Sequence, residues 1–367
     1  MACRPAGSAV RRTSADRSGK IPAAMTQSTE QPADRPVPTS ADVARLAGVS
    51  RATVSYVLNN TSAVRISDPT RRKVREAAER LGYVPHAAAR SLRAGHTRIV
   101  LLPTAHIPVG PLYSHFFNEL QWALRRLDYT VVQYGSLGLD GDGAARAWAE
   151  LRPVAVVSLG EIVLTPHGVE VLKRSGAKAV ITVGPGRVEG AHALVMDQSG
   201  IGGRAVAHLI ARGCRRIGVV MPGEPGLELF SGPRLAGARA AAEVEAGAGV
   251  RIVPLPLTYE EDSAAALAAR WRTLGLDAVF AFSDEYAMLL MRALQDEGIS
   301  IPAETAVIGS DDLLLGRLLR PRLSTVRIDM VTGQWLADLV DRAVRDPGAD
   351  PKRYDLLDSR VVHRESS

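Results

Sequence analysis

Five of six consecutive positions carry residue types suited to a polyanion. Arg51, Ala52, Thr53, Ser55 and Tyr56 occupy the side of a helical pattern opposite Val54, Val57 and Leu58. Arginine can donate two parallel hydrogen bonds to a guanine edge, and short residues at a helix start let backbone approach phosphates. A plain helical hairpin with a solvated polar face is the alternative reading. Arg234 and Asp284 form a second set. Each follows an apolar run and opens an amphipathic stretch. An Arg–Asp pair fixed in a cleft suits a sugar, a nucleoside or a small acid. Asp284 could instead serve as a helix N-cap, and Arg234 as a surface arginine. Catalytic patterns fare worse. Gly200-Ile-Gly202-Gly203 lacks the third glycine of a dinucleotide fingerprint, and neither a phosphate loop nor a G-x-S-x-G nucleophile elbow occurs. Asp311 and Asp312 are adjacent, so at a strand end they point to opposite sides and do not share a site. The eight histidines and two cysteines show no metal spacing. No enzyme, cofactor or metal is therefore expected.

The polyanion-facing residues need a scaffold, and Thr39–Asn60 supplies one. Thr39 or Ser40 can cap a first helix whose Val43, Ala44 and Ala47 share a face. Gly48 suits the left-handed residue that ends it, and Ser50 caps the second helix. Two short helices around a glycine turn make a helix-turn-helix. Ser67-Asp68-Pro69 opens a third helix, which Val74, Ala77, Ala78 and Leu81 bury. Charge agrees with this reading. Residues 1–98 hold 17 Lys and Arg against 7 Asp and Glu, whereas residues 99–367 hold 28 against 32. A basic front on a slightly acidic body points to nucleic acid as partner of the front.

From Arg98 onward, apolar β-branched runs alternate with amphipathic helical stretches. The strands expected are Ile99–Leu102, Thr130–Tyr134, Val154–Leu159 and Ala179–Val183, then Ala193–Met196, Ile217–Met221, Ile252–Pro254, Ala278–Phe282 and Ala306–Gly309. Ser324–Ile328, a helix over 330–345 and a final strand Asp355–Val362 complete the series. This is βαβ repetition, so the fold class is α/β with doubly wound parallel sheets. Some ten strands exceed one open sheet, so two lobes are expected, with a ligand cleft at the carboxyl ends of the strands.

The front resembles the DNA-binding head of the lactose-repressor family (LacI/GalR regulators). The matching residues are Asp42-Val43-Ala44, Ala47-Gly48-Val49-Ser50, Thr53-Val54-Ser55, Asn59, Ser67, Thr70-Arg71 and Leu81-Gly82-Tyr83-Val84-Pro85. The body is similar to that family's periplasmic-binding-protein-like core through Phe116-Phe117, Asp197-x-x-Gly200, Arg234-x-x-Gly237, Ser283-Asp284 and Gly309-Ser-Asp311-Asp312. The resemblance implies DNA contacts from Ser50, Arg51, Ala52, Thr53, Ser55, Tyr56, Asn59 and Ser67 of the head. It implies further contacts from Ala89, Leu92 and Arg93 of a hinge helix, Leu92 being a minor-groove wedge. It implies effector contacts from Phe116, Ser158, Arg234 and Asp284. Tyr56 stands where the family usually carries Arg, and Thr258 and Tyr259 compete for the place of a pocket aromatic.

The expected organisation is a disordered tail over 1–36, a helix-turn-helix domain over 37–84 and a hinge over 85–97, followed by a core over 98–367. Within the core, an N-lobe is expected over about 98–195 and 327–346, and a C-lobe over about 196–326 and 347–367. The expected function is that of a cytoplasmic, homodimeric repressor. It binds a pseudo-palindromic operator in double-stranded DNA, under control of a small-molecule effector and with no membrane partner. Two rivals stay open: a solute-binding receptor with a degenerate head, and an enzyme on the same α/β core.

Overall fold

The computed structural model describes residues 37–58, 64–84, 97–104, 110–135, 138–139, 141–159, 163–184, 186–245 and 249–367. The 1–36 tail, Asn59 and the hinge positions Ala89, Leu92 and Arg93 lie outside these residues. The chain divides into two compact units, Met1–Pro85 and His86–Ser367.

The first unit is three helices, α1 (Ser40–Ala47), α2 (Arg51–Leu58) and α3 (Asp68–Leu81). Thr39 and Asp42 form a reciprocal capping box. The Thr39 amide donates to the Asp42 carboxylate at 2.9 Å, and the Asp42 amide donates to Thr39 Oγ1 at 3.4 Å. Gly48 ends α1 at φ 66°, the left-handed conformation that glycine adopts without steric cost. Ser50 Oγ accepts the Thr53 amide at 3.1 Å and starts α2. Ser67 holds the N-cap position of α3, but its hydroxyl pairs with Thr70 Oγ1 at 2.9 Å instead of a backbone amide. Val43, Ala44, Val54, Val57, Val74, Ala77 and Ala78 form the buried centre of this unit.

The second unit contains two six-stranded sheets. In the first, β1 (Ile99–Thr104) lies between β2 (Thr130–Gly135) and β3 (Ala155–Leu159). Then come β4 (Ala179–Gly184), β5 (His192–Val195) and the late strand β11 (Arg353–Asp355). All its pairings are parallel. In the second, β6 (Arg216–Pro222) lies between β7 (Arg251–Leu257) and β8 (Ala278–Phe280). Then come β9 (Ala306–Ser310), β10 (Ser324–Met330) and β12 (Leu357–Val362). β12 runs antiparallel to β10, the exception to an otherwise parallel arrangement.

The chain passes between lobes at three places, after β5, after β10 and after β11. These crossings lie side by side: the Val331 amide donates to the Leu356 carbonyl, and the Leu356 amide to the Val195 carbonyl, both at 2.9 Å. Two expected boundaries change as a result. Residues 327–330 finish β10 and belong to the second sheet, because that strand pairs with β9 and β12 along its length. Residues 353–355 form β11 of the first sheet, so the expected strand Asp355–Val362 is two strands in two lobes. Leu356 separates them and is buried in the first lobe's core.

In the second lobe, α7 (Gln198–Ala211) and α8 (Glu228–Glu245) pack unusually closely. An added Cβ at Gly237 would stand 1.9 Å from the Ser199 carbonyl oxygen, and one at Gly202 would stand 1.9 Å from that of Arg234. These glycines let the two backbones touch, and α8 carries Arg234 to the cleft. Gly237→Ala must therefore push the helices apart. It is expected to cost about 1–3 kcal/mol, as overpacked cores do, read as a lower urea midpoint at an unchanged slope.

Candidate ligand cavity and nucleic-acid face

The head presents one polar surface on α2. Arg51, Ala52 and Tyr56 are exposed, Thr53 and Ser55 are half-buried, and Val54 and Val57 face inward. This is the division that the apolar spacing anticipates. The arginine and tyrosine therefore stand free to reach outward from a helix fixed on its other side.

A cavity of about 740 Å³ opens between the two lobes of the core. The first lobe contributes Leu102, Tyr113, Phe116, Phe117, Gln133 and Val183, and the second contributes Glu224, Phe230, Arg234, Tyr259, Phe282, Ser283, Glu285, Tyr286 and Asp311. Met196, Met330 and Leu356, beside or within the three crossings, also line it, as do Gly110, Pro111, Leu112, Ser114 and Leu227.

Arg234 is the centre of the polar end. It is only 3% exposed. Its Nε donates to Gln198 Oε1 at 2.8 Å, and one Nη donates to Ser310 Oγ at 3.1 Å and to the Phe282 carbonyl. The guanidinium lies 4.5 Å from the centre of the Phe282 ring. Asp311 follows β9 and adopts φ 106°, a conformation that L residues rarely hold. Burial pushes its carboxyl up to about 7, while nearby Arg234 pulls the other way. The strained backbone aims Asp311 at the cavity. Asp312 turns aside to pair with Arg317 at 2.8 Å and with Arg364. The opposite orientation of the two carboxyls agrees with their sequence adjacency.

The expected effector residues divide. Phe116 and Arg234 line the cavity; Ser158 and Asp284 do not. Ser158 is buried within β3. Asp284 is fully buried at the first turn of α11 (Asp284–Asp296). It accepts from Thr325 Oγ1 and from the Leu313 amide, both at 2.7 Å, and so ties α11 to β10 and to the turn after β9. Burial pushes its carboxyl up to about 7. Ser283 is the N-cap of α11 and accepts the Tyr286 amide. Rotation along the helix turns Glu285 and Tyr286 to the cavity and Asp284 away from it. Asp311, Glu285, Glu224 and Tyr286 were not among the expected contacts. The strand-end rule pointed to their neighbourhood, yet only backbone conformation shows which of several adjacent side chains faces inward. Tyr259, not Thr258, lines the cavity.

A three-helix head and a two-lobed core with an interlobe cavity define a ligand-binding DNA regulator. The lacI family of bacterial regulatory proteins matches residues 39–86, and the periplasmic binding protein-like domain matches residues 206–367. GalR of Escherichia coli is 30% identical over 343 residues, 89% of this chain and 95% of GalR. PurR of Vibrio atlanticus is 32% identical over 302 residues, 78% of this chain and 86% of that protein. Among solved structures, the CelR–cellobiose complex aligns with a TM-score of 0.58 at 27% identity, covering 90% of this chain and all of CelR. The lac repressor dimer bound to operator and the anti-inducer ONPF aligns with a TM-score of 0.70 at 20% identity, over 90% of this chain and 98% of that one. The chain belongs to the LacI family and is a DNA-binding transcriptional regulator. Among the described residues, no helix is long and apolar enough to cross a membrane.

Asp311 and Asp284 bind more protons in the fold than in the unfolded chain, whose carboxyls titrate near 3.8. Their raised values make stability fall as pH rises from about 4 to 7. Asp311→Asn removes one of the two contributions. Thermal midpoints measured between about pH 5 and 8 are expected to decline less steeply in this variant than in the native protein.

Proposed function

We propose that this protein is a homodimeric repressor whose operator affinity is set by a small molecule held between the lobes. The observation that carries the proposal is the position of the cavity. It touches both lobes and the three crossings at once, so an occupant bears directly on the angle between them. The relatives are transcriptional regulators, and one of them, CelR, is seen with cellobiose bound. They support a binding protein over an enzyme.

In this reading Ser50, Arg51, Ala52, Thr53, Ser55, Tyr56, Asn59 and Ser67 contact one half-site. Ala89, Leu92 and Arg93 act at the centre of the site. Lobe closure changes the spacing of two hinge segments and hence the fit to DNA. The coupling is reciprocal: operator DNA weakens or strengthens the ligand by the factor that the ligand applies to DNA.

A second copy of the chain would cover an exposed tryptophan and one exposed apolar patch. Trp122, on α4 (Pro111–Arg126) of the first lobe, is 68% exposed, and Leu314, Leu315 and Leu318 after β9 are 69%, 58% and 64% exposed. Large apolar side chains clustered on a surface mark interfaces. Leu315→Glu combined with Trp122→Glu places two charges in the joint. Sedimentation is expected to show a dimer for the native chain and a monomer for the double variant, with the core still folded by circular dichroism.

The function is tested by incubating the full chain with sheared genomic DNA, washing at moderate salt and sequencing what remains. Enrichment of one pseudo-palindrome is expected, with release when small metabolites from the source cells are added. Bulk binding without an enriched sequence would favour the degenerate-head receptor. Arg51→Ala is expected to relax base preference at one symmetric position, at about 1–3 kcal/mol. Equal weakening on every sequence would make Arg51 a phosphate contact.

A further inference from the structure

The cavity is chemically lopsided. It presents three carboxyl groups, Glu224, Glu285 and Asp311, against one guanidinium, and Arg234 already donates to three protein acceptors. A phosphorylated or carboxylated ligand would meet the Glu224 and Glu285 carboxyls there, beside a guanidinium already held by protein acceptors. Polar side chains line it from both lobes, but aromatic rings surround it as well, and Glu224, Arg234 and Ser283 already hold protein partners. A polyhydroxylated ligand would have to compete with those partners for the same atoms.

One corner has a particular geometry. The Tyr259 and Tyr286 rings stand 5.3 Å apart at 50° to one another, and Phe282 meets Tyr286 edge-on at 5.6 Å. Glu224 fixes this pair: its carboxylate accepts the Tyr286 hydroxyl and the Tyr259 amide. Glu285 lines the same cavity one residue before Tyr286. Among the described residues no group donates a hydrogen bond to its carboxylate, and burial alone shifts it upward. Its Oε2 reaches across the cleft, 3.5 Å from where a Cβ at Gly110 of the first lobe would stand. Two tyrosine faces with an unpaired carboxylate beside them make a receptor for an ammonium group, through ring quadrupole and ion pair together.

We propose that the effector is an organic amine with a flat apolar body, its ammonium seated between the Tyr259–Tyr286 pair and Glu285. This rests on the reading of the cavity as the effector site. The apolar body lies against Phe116, Phe117 and Phe230, and the amine joins the second lobe to the start of α4. The ligand thus neutralises a buried charge while spanning the cleft.

The test uses the full chain and calorimetry with benzylamine, phenethylamine and tryptamine as cationic probes. 2-Phenylethanol, phenylacetate and cellobiose serve as neutral aromatic, anionic and sugar controls. At least one amine is expected to bind more tightly than every control and to change operator affinity. Glu285→Gln is expected to weaken that amine about tenfold, a charge-assisted contact being replaced by a neutral one, while the melting temperature stays near native. Cellobiose binding that is lost in Arg234→Ala would overturn the amine and keep the cleft as effector site. Tighter binding of 2-phenylethanol than of phenethylamine, an amine affinity unchanged in Glu285→Gln, or no binding by any amine would overturn it as well. A ligand that alters operator affinity equally in the native chain and in Arg234→Ala would overturn the site reading itself.

Discussion

A guanidinium almost wholly removed from water governs the ligand-facing end of the core. Burying such a charge is costly unless its donors are met, and Arg234 meets them with Gln198, Ser310, the Phe282 carbonyl and the Phe282 ring face. Those partners come from α7, β9 and the segment between β8 and α11, so one side chain gathers three parts of the second lobe. The gathering is possible only because α8 lies against α7 with glycines at the contact. The cluster nonetheless does not close completely. Gln198 Nε2 is buried without a hydrogen-bond partner among the described residues. Asp311 is held beside the cluster on a strained backbone. Both are costs that a purely structural arrangement would avoid, and both occur at the cavity end of the lobe.

The second constraint is topological. Three chain segments cross between the lobes, and their backbones are joined by hydrogen bonds at Val195, Val331 and Leu356. A joint of three coupled segments bends as a unit. Met196, Met330 and Leu356 place the same joint in the cavity wall. Ligand contacts and lobe angle are therefore not separate properties. An occupant that contacts this joint shifts the lobes toward the angle it prefers, by no more than its difference in affinity for the two angles.

The head was legible almost residue by residue. Its caps, turn glycine and apolar spacing all act within three or four residues, where sequence alone specifies geometry: Thr39 with Asp42, Gly48, Ser50 with Thr53. The α/β core was legible as a series of elements for the same reason. The exchanges between lobes were harder to read. β10 reads as one strand from either lobe, and nothing local shows that Leu356 divides a strand in two. Partners distant in sequence decide it, β9 for one and β5 for the other. The cavity was legible only as a neighbourhood. Ser283, Asp284, Glu285 and Tyr286 are consecutive, yet Ser283 caps a helix at the cavity edge, Asp284 braces a strand away from it, and Glu285 and Tyr286 face the ligand space. Helical rotation of about 100° per residue separates these roles. An error of one position therefore moves a charge from the cavity into the core.

That rotation also gives Glu285 its significance. α4 of the first lobe begins at Pro111 with Gly110 as its N-cap and no capping side chain, so its first amides lack a partner from their own turn. A carboxylate approaching from the opposite lobe meets the positive end of that helix. Cleft closure and ammonium binding then draw on the same charge. The Glu285 carboxylate lies near the helix start without a hydrogen-bond donor among the described residues. A bound ammonium supplies that carboxylate with a partner, while the two tyrosine faces attract the ammonium itself. The ligand therefore changes how strongly the lobes hold each other, beyond filling the space between them. A neutral occupant would leave the Glu285 interaction intact and could act only through its bulk.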